Sequence, residues 1–155
     1  PDVPQYVFFN DDVCTQQGPF YSPEQYDEFN GPRVKRIADI VHKHGRRFIQ
    51  HCCGSVGKLL PHFIKAGIDI IQPIQPGLPG NDVVELREKH GKEVVLFRGL
   101  DMQQQMRNDK PEDITEFYKR LFDKFPDGGL VMNVWPMPDI PLKNMLAFRA
   151  AYMEN

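Results

Sequence analysis

Apolar positions recur at helical spacing in four stretches of the chain. Val34, Ile37, Ala38 and Val41 follow i, i+3, i+4, i+7, and so do Val56, Leu59, Leu60 and Phe63. Ile114, Phe117, Tyr118, Leu121 and Phe122 extend the pattern to i+8, and Val83, Val84, Leu86 and Arg87 make a weaker fourth case. Each predicts a helix with one face against a core. Gly45, Gly67, Gly91 and Gly128 follow these stripes, where left-handed C-terminal caps are expected. Ser22-Pro23-Glu24-Gln25 reads as a helix start, with Ser22 as N-cap, Pro23 in the first turn and Gln25 completing a capping box. Asn81 and Asp109 are candidate caps. Pro111 suits a first turn, and Pro141 precedes a final helix running to about Tyr152. Pro61 fits its stripe only if that helix starts near Gly57.

Between the helices lie β-prone runs at Tyr6–Phe9, Phe48–His51, Ile68–Ile71, Val94–Phe97 and Leu130–Val134. Strictly alternating strands and helices predict an α/β fold with a parallel sheet and right-handed crossovers. The longer loops, 72–80, 101–110 and 135–140, all follow strands. No linker or low-complexity segment divides the chain, so residues 1–155 read as a single domain.

Composition narrows the function classes. The chain has 155 residues, 41% hydrophobic and 26% charged, with a net charge of −2. That balance offers no basic footprint for nucleic acid and no polybasic membrane patch. No apolar run approaches the ~20 residues of a membrane span. Three cysteines, two of them adjacent, do not make a disulfide framework, which favours a reducing, cytoplasmic setting. The chain starts with Pro1 rather than Met, as a fragment or processed product would.

In parallel α/β folds chemistry gathers at the C-terminal ends of strands. Here the strands run into Asn10-Asp11-Asp12, His51-Cys52-Cys53-Gly54, Gln72-Pro73-Ile74-Gln75, Arg98-Gly99-Leu100-Asp101 and Asn133-Val134-Trp135. An Arg, paired Asp residues and a His-x-Cys at one rim point to a shared site. In extended chain His51 and Cys53 face one side and Cys52 the other. Imidazole and thiolate are ligands suited to Zn²⁺. Taken alone, the pair also fits a buried thiol beside a hydrogen-bonded histidine. Asp11 and Asp12 could share a proton or hold a substrate cation, with one of them facing the site. Cys14 reads as a spare ligand or an apolar filler. Trp135 reads as a pocket wall or a cover. His42, His44 and His90 fall in last helical turns, where a cationic ring suits the helix dipole. His62 lies off its stripe and reads as solvated.

These residues also resemble a known family. The segment Asp11 to Pro23 resembles the "DD-x-x-x-Q-x-G-x-x-x-S-P" stretch of the uroporphyrinogen decarboxylase superfamily. His51-Cys52-Cys53-Gly54 is similar to its "H-x-C-G", and the segment Gly67 to Gln75 to its "G-x-D-x-x-x-P-x-Q". Gly99-Leu100-Asp101 and the segment Asp139 to Asn144 resemble its "G-x-D" and "D-x-P-x-x-N". The five matches run in family order.

The resemblance implies a TIM-type (β/α)₈ barrel, of which this chain holds the last five βα units. The "H-x-C-G" form implies the corrinoid-linked methyltransferase branch, with a cobalamin carried by a partner corrinoid protein and a small molecule as methyl donor or acceptor. In coenzyme M methyltransferases of this branch the matching His and Cys bind zinc, which implies His51 and Cys53 as ligands here. The family's third ligand, a Cys on the last strand, would fall near Val134, and neither it nor Asn133 nor Trp135 is a Cys. Asp12, Asp101 or Cys14 is the expected replacement. Asp12 and Asp101 are the expected catalytic residues, and Asp11, Gln75 and Asn133 the expected substrate contacts. The competing readings are a decarboxylase-like enzyme acting on a tetrapyrrole, and a barrel segment without activity. A (β/α)₈ barrel takes about 250 residues. Five units leave two sheet edges unpaired, which predicts instability, inactivity or homo-oligomerisation of the chain alone.

Overall fold

The β-prone runs become five strands in the computed structural model, which describes residues 4–133 and 137–154. They are β1 Tyr6–Asn10, β2 Arg47–His51, β3 Ile70–Ile74, β4 Val95–Gly99 and β5 Leu130–Asn133. All pair in parallel, in the order β1-β2-β3-β4-β5. A doubly wound sheet reverses its order at a switch point, whereas a (β/α)₈ barrel keeps chain order throughout. The sheet is therefore a run of consecutive barrel strands, a partial barrel. Strand β3 continues to Ile74, past the expected end at Ile71. Pro73 has no N–H to donate, and the β3–β4 register shifts between Ile71 and Ile74. Among the described residues no helix is long and apolar enough to cross a membrane.

The helices are α1 Pro23–Gln25, α2 Gly31–Lys43, α3 Leu60–Lys65, α4 Val83–His90, α5 Gln105–Asn108, α6 Pro111–Asp123 and α7 Leu142–Met153. The Ser22 capping box forms: Gln25 N donates to Ser22 Oγ at 3.2 Å and Ser22 N to Gln25 Oε1 at 2.9 Å. A π-helical turn over Tyr26–Asn30, which periodicity does not reveal, joins α1 to α2. Helix α3 begins at Leu60, not Gly57, so Pro61 sits among the N–H groups that lack a partner in any case. The cap of α4 is Asp82 rather than Asn81: its Oδ1 accepts from Val84 N at 2.8 Å and Glu85 N at 3.1 Å. Asp109 closes α5, a short helix inside the segment expected to be loop, and Lys110 precedes α6.

The helical stripes meet one face of the sheet. Phe48, Ile71 and Leu96 on that face are buried against Val34, Ala38, Val56, Phe63 and Ile114. The opposite face is different. Register places Phe8 beside Ile49 and Asn10 beside His51. Tyr6 and Phe8 there remain 53% and 56% exposed. In a closed barrel this is the interior, filled by side chains of further strands.

Asp69 of the "G-x-D-x-x-x-P-x-Q" segment is a structural clamp below the sheet. Its Oδ2 accepts from Phe48 N at 2.7 Å and meets His42 Nε2 at 2.7 Å, and its Oδ1 accepts from Arg47 at 3.0 Å. Burial raises the Asp69 pKa, but the bonds from Phe48, His42 and Arg47 outweigh it and hold the net value below the usual range. A lowered folded-state pKa contributes stability above the unfolded value of ~3.9 that is lost as pH falls through and below it. Asp69→Ala is expected to cost about 1–3 kcal/mol near neutral pH, with the loss shrinking on acidification. Thermal melts of both proteins from neutral to acid pH read this difference.

Candidate metal centre

The first two strand ends bring three ligand types together. His51 ends β2, and Cys53 follows two residues later. Cys53 Sγ lies 3.4 Å from His51 Nε2, and Asp12 Oδ1 lies 3.6 Å from the same nitrogen. One ligand atom from each of Asp12, His51 and Cys53 falls within 4.8 Å of the others, and no other such group of three occurs among the described residues. Asp12 Oδ1 also accepts from Cys53 N at 2.7 Å, which fixes the carboxylate against the turn.

The neighbours orient this set. His51 pairs in register with Gln72 on β3. Its Nδ1 lies 2.5 Å from Gln72 Oε1, and an amide oxygen only accepts, so the proton sits on Nδ1. The Nε2 lone pair is then free toward Cys53 and Asp12, the arrangement that metal-binding histidines adopt. Gly54 turns the chain at φ +100°, and a Cβ there would stand 2.5 Å from Thr15 O. Only glycine passes this point with the backbone so close. Burial, then the charge of Asp12 and then Cys52, raise the Cys53 pKa. Without a metal the thiol keeps its proton, and a bound cation displaces it. Nitrogen, sulfur and oxygen donors within one small volume fit Zn²⁺.

A cavity of about 360 Å³ opens beside the pair, lined by His51, Cys53, Gln72, Gln75, Asp101 and apolar residues such as Leu100 and Met102. Of the expected site residues, His51, Cys53, Gln75 and Asp101 border it. Asp12 joins the ligand group but not the cavity wall. Asp101 Oδ1 is engaged by Gln103 N at 3.1 Å and Gln104 N at 2.9 Å, so it also shapes its own loop. Asp11, the other expected substrate contact, is not among the residues lining this cavity. Burial raises its pKa, against a smaller lowering from the Asn30 side chain. Alternation explains the split, since adjacent residues of an extended segment face opposite sides. Asn133 ends β5, with its side chain outside the described set, as are Val134 and Trp135.

Other expectations are corrected. Arg98 points away from the rim: its guanidinium lies 5.7 and 5.9 Å from the Phe117 and Tyr118 rings of α6. Cys14, by contrast, is the apolar filler of its two expected readings: it is buried in the core and is not part of the ligand group. His62 is not solvated but bonds through Nδ1 to Asp27 at 2.9 Å. Asn144 and Asp139 of the closing motif hold loops together. Asn144 Nδ2 donates to Met106 O at 2.9 Å and Asp109 O at 3.0 Å, and Asp139 pairs with Arg107 at 2.8 Å. Sequence reasoning did not assign Gln72 a role. The signal was a polar residue inside the apolar run Ile70 to Ile74.

Comparison with known proteins adds the family. A solved methyltransferase from Methanosarcina mazei superposes with a TM-score of 0.70 at 19% sequence identity, over 97% of this chain. At that identity the likeness is one of fold. The chain spans 42% of that protein's length. None of the curated proteins compared matches the chain. The family model described as uroporphyrinogen decarboxylase (URO-D) matches residues 7–154. With nearly its whole length inside that match and its strands in barrel order, the chain belongs to the uroporphyrinogen decarboxylase family.

Proposed function

We propose that this chain forms the metal-binding part of a zinc-assisted, corrinoid-dependent methyltransferase. The observation that carries the reading is the Asp12–His51–Cys53 group beside a cavity of small-molecule size. The partner would be a corrinoid protein, and the other reactant a small-molecule thiol or another methyl acceptor or donor. Zinc bound here would supply Lewis-acid chemistry that lowers the pKa of a thiol. His51, fixed by Gln72, would hold the metal through Nε2, and Cys53 would bind as thiolate after losing its proton. Asp12 would give the third ligand while keeping its bond to Cys53 N. Gln75 and Asp101 would orient the reactant, and Leu100 and Met102 would keep water from it.

The test is methyl transfer between methylcobalamin and a panel of small thiols, followed by the loss of the methyl–cobalt absorption. Zinc-dependent turnover that disappears in His51→Ala is expected. Turnover indifferent to chelation and to His51→Ala, or none with any thiol alongside porphyrinogen decarboxylation, would overturn the reading.

A further inference from the structure

Cys52 and Cys53 are adjacent, yet only Cys53 belongs to the ligand group. Cys52 is fully buried, and its Sγ accepts from Val13 N and donates to Cys53 O, both at 3.4 Å. Strand β2 ends at His51 and Cys52 N makes a last bond to β3, to Gln72 O at 2.8 Å, so the ladder holds Cys52 but does not reach Cys53. The next residue is held instead. Gly54 N donates to Gln75 Oε1 at 2.6 Å, and Gly54 O accepts from Asn81 Nδ2 at 2.9 Å. The same Nδ2 donates to Gln75 O at 3.0 Å, while Asn81 Oδ1 accepts from Val56 N at 3.0 Å. Asn81 is 3% exposed and uses both ends of its amide. It therefore ties the β2–α3 turn to the β3–α4 connection. Ser55 Oγ adds a bond to Pro79 O. Gly57 lies so close to Gly80 that a Cβ would sit 2.0 Å from its carbonyl oxygen.

We propose that Asn81, with Gln75, is a positioning residue that selects Cys53 over Cys52 as the metal-facing thiol. The clasp grips Gly54 on both its N–H and its C=O, which fixes the direction in which the preceding residue projects. Asn81 touches neither metal nor cavity and acts through Gly54. The proposal rests on the metal reading above.

Titration with Co²⁺, a spectroscopic stand-in for zinc, tests it through the sulfur-to-cobalt charge-transfer band and the d–d bands. The parent protein is expected to show the charge-transfer band, Cys52→Ala to keep it and Cys53→Ala to lose it. Asn81→Ala is expected to weaken Co²⁺ binding about 10–100-fold and to change the d–d bands, as loss of outer-shell support does. Gln75→Met removes one clasp bond and is expected to shift both readouts the same way by less, which covers the case of Asn81→Ala failing to fold. Circular dichroism on the same samples confirms that they are folded. Parent-like affinity and spectra in both variants, or loss of the band in Cys52→Ala, would overturn the clasp while leaving the metal reading intact. A parent that takes up no Co²⁺ would overturn both.

Discussion

Cys53→Ala is expected to leave the protein without stoichiometric zinc, with affinity lowered by well over the ~10–100-fold that outer-shell changes cost. His51→Ala is expected to do the same. Gln72→Leu is expected to cost about 10–100-fold, because it frees the ring whose tautomer and direction it sets. The pH dependence follows from the thiol. Burial, and then the Asp12 charge, raise the Cys53 pKa, so the metal-free protein carries a proton there at neutral pH. Metal must displace that proton, so protons compete with zinc and affinity rises with pH until the thiol's own pKa is passed. The Cys53 contribution is about one decade of affinity per pH unit, with one proton released per metal. In Cys53→Ala the slope falls by that decade. Competition titrations against a chromophoric chelator at several pH values measure both slopes.

The second large effect concerns the sheet. The 155-residue chain is expected to associate at micromolar concentration rather than remain a 17.9 kDa monomer. Strand β1 pairs only with β2 and β5 only with β4 among the described residues, so each sheet edge carries unmet backbone donors and acceptors. Tyr6, Val7 and Phe8 of β1 are exposed, with no charge along Tyr6–Asn10 to deter pairing. Such an edge is a template for another strand. The unfilled interior face adds apolar surface that water meets directly. Tyr6→Lys with Val7→Lys is expected to shift the population toward monomer in sedimentation velocity. A single monomeric species that melts cooperatively before any substitution would contradict this.

Much of the fold was legible because it rests on local periodicity. Val34, Ala38 and Val41, and Ile114, Tyr118 and Leu121, bury as their spacing requires. Features set by tertiary context were not legible. β3 runs through Pro73 because β4 tolerates a register shift there, which no propensity encodes. The π-helical turn at Tyr26–Asn30 interrupts a helix whose start was plain. Arg98 lies on the outer face of β4 against aromatic rings of α6, a choice made by packing rather than by its place at a strand end.

The candidate site divides in the same way. His51 and Cys53 were visible because extended chain puts i and i+2 on one side. The choice of Asp12 over Asp11 needed the structure, and so did the role of Gln72, which comes from the register of β2 against β3. Asn81 has the sequence signature of a cap beside a helix start. Its burial and its bonds to Gly54 and Val56 emerge only when two loops meet.

The central claim is a zinc site made by Asp12, His51 and Cys53. Zinc analysis of the purified protein combined with zinc-edge X-ray absorption tests it most directly. The account predicts one zinc per chain, one sulfur ligand at about 2.3 Å and nitrogen or oxygen ligands at about 2.0–2.2 Å. Substoichiometric zinc, or a zinc shell without sulfur, would contradict it.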